Sequence, residues 1–150
     1  MELLIQIEEK LNKWQKILRL LDWDITIKIV EIEWRKSGDI KIDLSDRKAV
    51  LLINKKRKCE NLEELIIHEL LHLKLFELDQ MIEEQLELIF GTDEQDPKRQ
   101  FAYNQFMKVL ESTVEDLTKG YLSASNSTEP LSFGRLQVQV DNELKNNKLR

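Results

Sequence analysis

The stretch from Leu62 to Phe76 constrains this chain more than any other. Leu62, Leu65, Ile66, Ile67, Leu70, Leu71, Leu73, Leu75 and Phe76 put apolar side chains on nearly every side of a helix expected over about 62–77. A helix with so little solvent face belongs in an interior, so the other elements must be arranged around it. Asn61 followed by Glu64 matches an N-cap and its partner at the third helical position, which fixes where the helix starts. Into this apolar cylinder the sequence sets His68, Glu69 and His72, and these two histidines are the only ones in the chain.

Helical residues advance by about 100°, so residues four apart return to within about 40° of each other. His68 and His72 therefore point the same way one turn apart, with Glu69 close by. Burying two imidazoles and a carboxyl costs free energy unless something satisfies them, and a metal ion with a bound water would satisfy all three. His68-Glu69-Leu70-Leu71-His72 is the His-Glu-x-x-His spacing in which two imidazoles share a zinc ion and the glutamate is general base. The expectation is a zinc-dependent hydrolase acting on a peptide or protein substrate.

Catalytic zinc takes three protein ligands and leaves a position open for water. With no further histidine, the third ligand is expected to be a carboxylate from a separate element. Glu77 lies on the far side of the same helix, and Glu83, Glu84 and Glu87 belong to a following helical piece whose acidic side is expected in solvent. Glu111 and Glu115 sit one turn apart on a last long helix, beside its apolar stripe, and an antiparallel return of that helix would bring them to the histidines.

The remaining chain supplies a small sheet and flanking helices, an α+β domain. Leu4, Ile7, Leu11, Trp14, Leu18 and Leu21 form the stripe of an N-terminal helix over 2–21. Trp23, Ile25, Ile27 and Ile29 alternate with polar residues as a strand, and a phase slip at Ile29-Val30 predicts a bulge. Ser37-Gly38-Asp39 reads as a turn before a second strand through Ile40, Ile42 and Leu44. Ala49–Ile53, continuously apolar, reads as a third and better buried strand. Tight turns between the three predict an antiparallel meander. A helical piece over 79–90 follows, and Asp96-Pro97 opens the last helix, which runs to about Leu122 with Phe106, Leu110, Val114 and Leu117 inward. Residues 1–122 are thus expected to form the catalytic domain. Residues 123–150 read as a flexible linker and tail, with a short strand through Leu136, Val138 and Val140.

Composition narrows the function classes. Asp and Glu exceed Lys and Arg by 28 to 23, for a net charge of −5. That balance argues against nucleic acid or an anionic membrane surface as partner, and Lys55-Lys56-Arg57-Lys58 is expected to be a solvated loop. Apolar runs are too short and too often broken by charge to span a bilayer. One cysteine, Cys59, excludes an intrachain disulfide. A cytoplasmic location is the expectation.

With these residues in place, the chain resembles the gluzincins. Glu111 to Glu115 is similar to their Glu-x-x-x-Asp/Glu element. The order of N-terminal helix, small sheet, His-Glu-x-x-His helix and glutamate helix resembles the minigluzincins over about residues 1–122, with more distant likeness to ImmA/IrrE- and SprT-type proteins. The resemblance implies a zincin-like fold and a zinc metallopeptidase with His68, His72 and Glu111 as metal ligands and Glu69 as base. It implies that Glu115, where aspartate is more usual, orients a ligand histidine. It also implies a cleft in which substrate lies as an extended strand along a sheet edge. Residues 131–140 could fill that groove in their own molecule, giving a latent enzyme, or in a neighbouring one, giving a homodimer. Two alternatives stand beside this reading: a non-catalytic zincin-fold module that binds metal or a partner, and a regulatory protease directed at one protein such as a repressor. The intact Glu69 weighs against the first, since a purely structural zinc site has no need of a base.

Overall fold

The computed structural model describes residues 1–58, 61–125 and 135–147. Cys59 and most of the predicted linker therefore lie outside the described residues. The described chain runs α1 (Glu2–Ile17), β1 (Asp24–Val30), β2 (Gly38–Asp43), β3 (Lys48–Asn54), α2 (Leu62–Lys74), α3 (Phe76–Phe90), α4 (Pro97–Ala124) and α5 (Arg135–Asn147). This is the expected α+β class, with helices packed on a three-stranded sheet. Among the described residues, no helix is long and apolar enough to cross a membrane.

The sheet is mixed, with order β1-β3-β2. β1 runs parallel to β3 from Asp24↔Lys48 to Val30↔Asn54, and β2 runs antiparallel to it from Gly38↔Ile53 to Asp43↔Lys48. The predicted meander is thus corrected: the apolar run of β3 takes the centre, and the two alternating strands become edges. The physical reason lies at Asn54. Its buried side-chain amide donates to the carbonyls of Trp34 (3.0 Å) and Lys36 (2.8 Å), and its Oδ1 accepts from the Lys56 N–H at 2.9 Å. Its backbone N–H reaches the Ser37 carbonyl at 2.9 Å. The chain leaving β1 is thereby tied across the end of β3 before β2 begins. The phase slip at Ile29-Val30 marks the end of a strand whose register with β3 is unbroken, so there is no bulge there. Gly38 and Asp39, read as a turn, open β2.

One apolar core lies between the inner face of the sheet and the helices. Ile40, Leu51 and Ile53 meet Ile7, Leu11 and Trp14 of α1 and Ile66, Ile67 and Leu70 of α2. As the composition of α2 predicts, nearly all of it is buried. Asn61 Oδ1 accepts the Glu64 N–H at 3.0 Å, a cap worth about 1 kcal/mol. α1 is pinned to α2 by Glu63, whose Oε1 accepts from Trp14 Nε1 (2.7 Å) and Lys13 Nζ (2.8 Å). Burial alone would raise the Glu63 pKa, but these two donors outweigh it and hold the carboxyl below its ordinary range. Asp96 caps α4 through the N–H groups of Lys98 and Arg99, with Pro97 at the first turn.

The inward face of α4 is Leu110, Val114, Thr118 and Leu122, with Thr118 in place of the predicted Leu117, which is exposed. The Thr118 hydroxyl can be buried because it donates to the Val114 carbonyl at 2.7 Å. The predicted strand over 136–140 is instead part of α5. Leu136, Val140 and Leu144, four apart, serve a helical stripe, and Gln137 Nε2 donates to Asp141 Oδ1 one turn on at 2.9 Å.

Candidate metal centre

The two histidines project from one side of α2, one turn apart, with ring centroids 4.9 Å from each other. Across from them α4 delivers Glu111. Its Oε1 lies 3.0 Å from His72 Nε2 and its Oε2 lies 3.6 Å from His68 Nε2. One donor atom from each of the three residues falls within 4.8 Å of the other two, so this group could hold a metal ion. Glu111 sits by His72, while Glu115, Thr118 and Lys119 share a cleft with His68, Glu64 and Leu65. Advancing along α4 therefore means retreating along α2, the antiparallel return expected from the sequence.

The electrostatics follow from burial and from Glu111. His68 is lowered from its ordinary pKa by burial first and by neighbouring His72 second, with Glu111 opposing. For His72 burial also acts downward, but the Glu111 hydrogen bond and charge outweigh it and the pKa rises. The difference matches the geometry, since Glu111 is closer to His72. Glu69 is almost fully enclosed, at 7% exposure. Burial drives its carboxyl from 4.5 to about 7; the charges of Asp39 and Glu111 push the same way, while His72 and Lys36 oppose.

Glu69 faces a cleft of about 320 Å³ lined by His68, Glu115 and Lys119 from the helices and by Lys36, Ser37 and Gly38 from the start of β2. Gly38 sets how near this strand comes to α2. A Cβ there would stand 3.1 Å from Leu65 Cδ1 and 3.2 Å from the Leu52 carbonyl oxygen. Sequence reasoning brought forward His68, Glu69, His72 and Glu111, and the fold brings them together. Glu115 lies in the same cleft, one turn beyond Glu111. Glu77, Glu83, Glu84 and Glu87 are absent from both the donor group and the cleft lining. Tyr121 packs edge-on against Trp14, with centroids 6.1 Å apart, and Tyr103 lines a separate hollow with Glu83 and Arg99.

The wall made by Lys36, Ser37 and Gly38 was missed, because a Ser-Gly-Asp triplet signals a turn before it signals a strand. Asp39, next along, was missed as well. It pairs with Lys36 (3.0 Å) and Lys41 (3.1 Å) and accepts from the Ile40 N–H at 2.8 Å. Burial would raise its pKa, but these partners outweigh it and lower it, so the carboxylate is charged near neutrality.

Compared with protein-family models, curated proteins and solved structures, the chain matches none.

Proposed function

We propose that this chain is a zinc-dependent metallopeptidase whose metal ligands are His68, His72 and Glu111. One observation carries the reading: three neutral-or-anionic donors from two helices converge beside a buried carboxyl that opens on a cleft. Zinc bonds of about 2.0–2.2 Å in a tetrahedron place ligand atoms about 3.3–3.6 Å apart. The separations of 3.0 Å from Glu111 Oε1 to His72 and 3.6 Å from Oε2 to His68 are of that order. Two imidazoles and one carboxylate also leave a fourth position, which a catalytic site needs and a structural site closes.

Bound zinc would supply Lewis acidity and a water of lowered pKa. The chain's own residues do the rest. Glu69 lies one residue from His68 and faces the cleft, so its carboxylate can take a proton from water and return it to a departing amine. His68 and His72 are held in one orientation by the rigid, buried α2. The start of β2 forms the opposite wall, and an extended polypeptide lying along that strand would bring its carbonyl carbon into the cleft.

Zinc content and hydrolysis of an unfolded protein such as casein, measured for wild type, Glu69→Ala and Glu111→Ala, test this reading. Glu69→Ala should keep the metal and lose turnover, and Glu111→Ala should lose metal. Zinc-loaded wild type that cleaves neither casein nor any member of a mixed peptide library would end the peptidase reading.

A further inference from the structure

β2 has an open edge. The Asn54 N–H to Ser37 carbonyl bond extends the pairing of β2 with β3 by one residue. In antiparallel ladders hydrogen-bonded and non-hydrogen-bonded pairs alternate, so Ser37, Asp39, Lys41 and Asp43 turn their main chain toward β3. Gly38, Ile40 and Ile42 turn theirs outward. No described strand pairs with that edge, and its first outward residue, Gly38, lines the cleft beside Glu69.

The outward N–H of Ile40 is already taken. Asp39 belongs to the other face of the strand, yet its carboxylate bends round the edge so that Oδ1 accepts from Ile40 N at 2.8 Å. The second oxygen is held by Lys36 at 3.0 Å and Lys41 at 3.1 Å, one lysine on each side. Lys36 also lines the cleft, so the clamp and the site share a side chain. A peptide adding to β2 needs the Ile40 amide as a donor. Asp39 presents to that amide the kind of oxygen a peptide carbonyl would present.

We propose that Asp39 is an internal competitor for extended polypeptide at the β2 edge, clamped over the Ile40 amide by Lys36 and Lys41 and displaced when a peptide docks. Asp39 acts here as a positioning residue that sets affinity for the docked strand. The proposal rests on the preceding reading only in taking an extended polypeptide as the occupant. A bare open edge invites pairing with other chains, and a charged residue beside it is a familiar guard. Here the guard stands at the strand that forms the cleft wall, so what blocks unwanted partners also taxes the wanted one.

The test uses the full chain, zinc-loaded, with Glu69→Gln to prevent turnover and fluorescein-labelled casein as probe. Adding Asp39→Ala should tighten casein binding about three- to ten-fold, the worth of one competing hydrogen bond. Asp39→Asn keeps an acceptor but loses the lysine clamp and should fall between. Unchanged or weaker binding by Asp39→Ala overturns the proposal. Amide exchange by NMR, without casein or metal, gives a second readout. In Asp39→Ala the Ile40 amide should exchange at least about ten-fold faster, while the amides of residue 39 and Lys41, bonded to β3, keep their rates. Equal Ile40 rates in both proteins overturn the cap. Neither readout needs hydrolysis, so failure of the metallopeptidase reading would show in the casein-cleavage assay and leave these outcomes legible.

Discussion

Glu111 reaches from α4 to within 3.0 Å of His72 Nε2, joining the end of the molecule's most buried helix to the middle of its longest one. That single carboxylate is what makes a two-histidine spacing into a three-donor group. It also makes the group long-range in sequence, so any metal held there would link its binding to the docking of α4 on α2.

Glu111→Ala should therefore lower zinc affinity by about 100-fold or more, whereas Glu69→Gln should hold zinc within about ten-fold of wild type and lose about 10²–10⁴ in hydrolysis rate. Competition against a chromophoric chelator reads the first and peptide turnover the second. Normal zinc binding by Glu111→Ala would assign the third donor elsewhere.

The buried Glu69 carboxyl makes the stability of the metal-free protein depend on pH. Its pKa rises from 4.5 to about 7 on folding. The folded state therefore holds a proton that the unfolded chain has released, and stability falls as pH rises from about 4.5 through 7. Over that window the loss from this group amounts to roughly 3 kcal/mol. Glu69→Gln, neutral at every pH, should match wild type near pH 5 and be more stable near pH 8 in urea melts of metal-free protein. Equal stability at both pH values would remove the burial cost assigned to Glu69.

Asn54 holds the strand that walls the cleft. Asn54→Ala removes two donors and an acceptor from partly buried hydrogen bonds, at a cost of about 2–4 kcal/mol. Chemical denaturation should show that loss, with faster amide exchange over residues 36–38. A loss below about 0.5 kcal/mol would mean the loop is held by other contacts.

Trp14 and Glu63 couple α1 to α2. Trp14→Phe keeps most of the buried ring and drops the 2.7 Å indole hydrogen bond, costing about 1–3 kcal/mol. Combined with Glu63→Ala in a double-mutant cycle, the two changes should show a coupling of about 1–2 kcal/mol. Strict additivity would deny the contact an energetic role.

The sequence made the helices legible because each carries a repeat or a cap that acts locally: the all-round apolar face of α2, Asn61 and Glu64 at its start, Asp96-Pro97 before α4. The two histidines were legible for the same reason, since His68 and His72 need only one helix to align them. The sheet order was not. The return of the chain toward β2 is tied by Asn54, a buried amide whose partners lie at Trp34 and Lys36, and no local pattern announces such a contact. The strand read through Leu136, Val138 and Val140 failed because alternation over five residues also fits a helix that buries little. Asp39 and Lys36 were invisible because their roles come from what stands opposite them once β2 is paired.

Gly38 carries a consequence for how such a cleft can change. The wall and α2 approach each other across a position where one carbon is missing, and a Cβ there would meet Leu65 and the Leu52 carbonyl at 3.1 and 3.2 Å. The aperture of the cleft is therefore written in the chain as an absent atom. A single methyl at residue 38 would wedge the wall outward by a few tenths of an ångström without touching any donor. Descendants of this sequence could in that way widen what they admit while keeping unaltered the residues that would act on it.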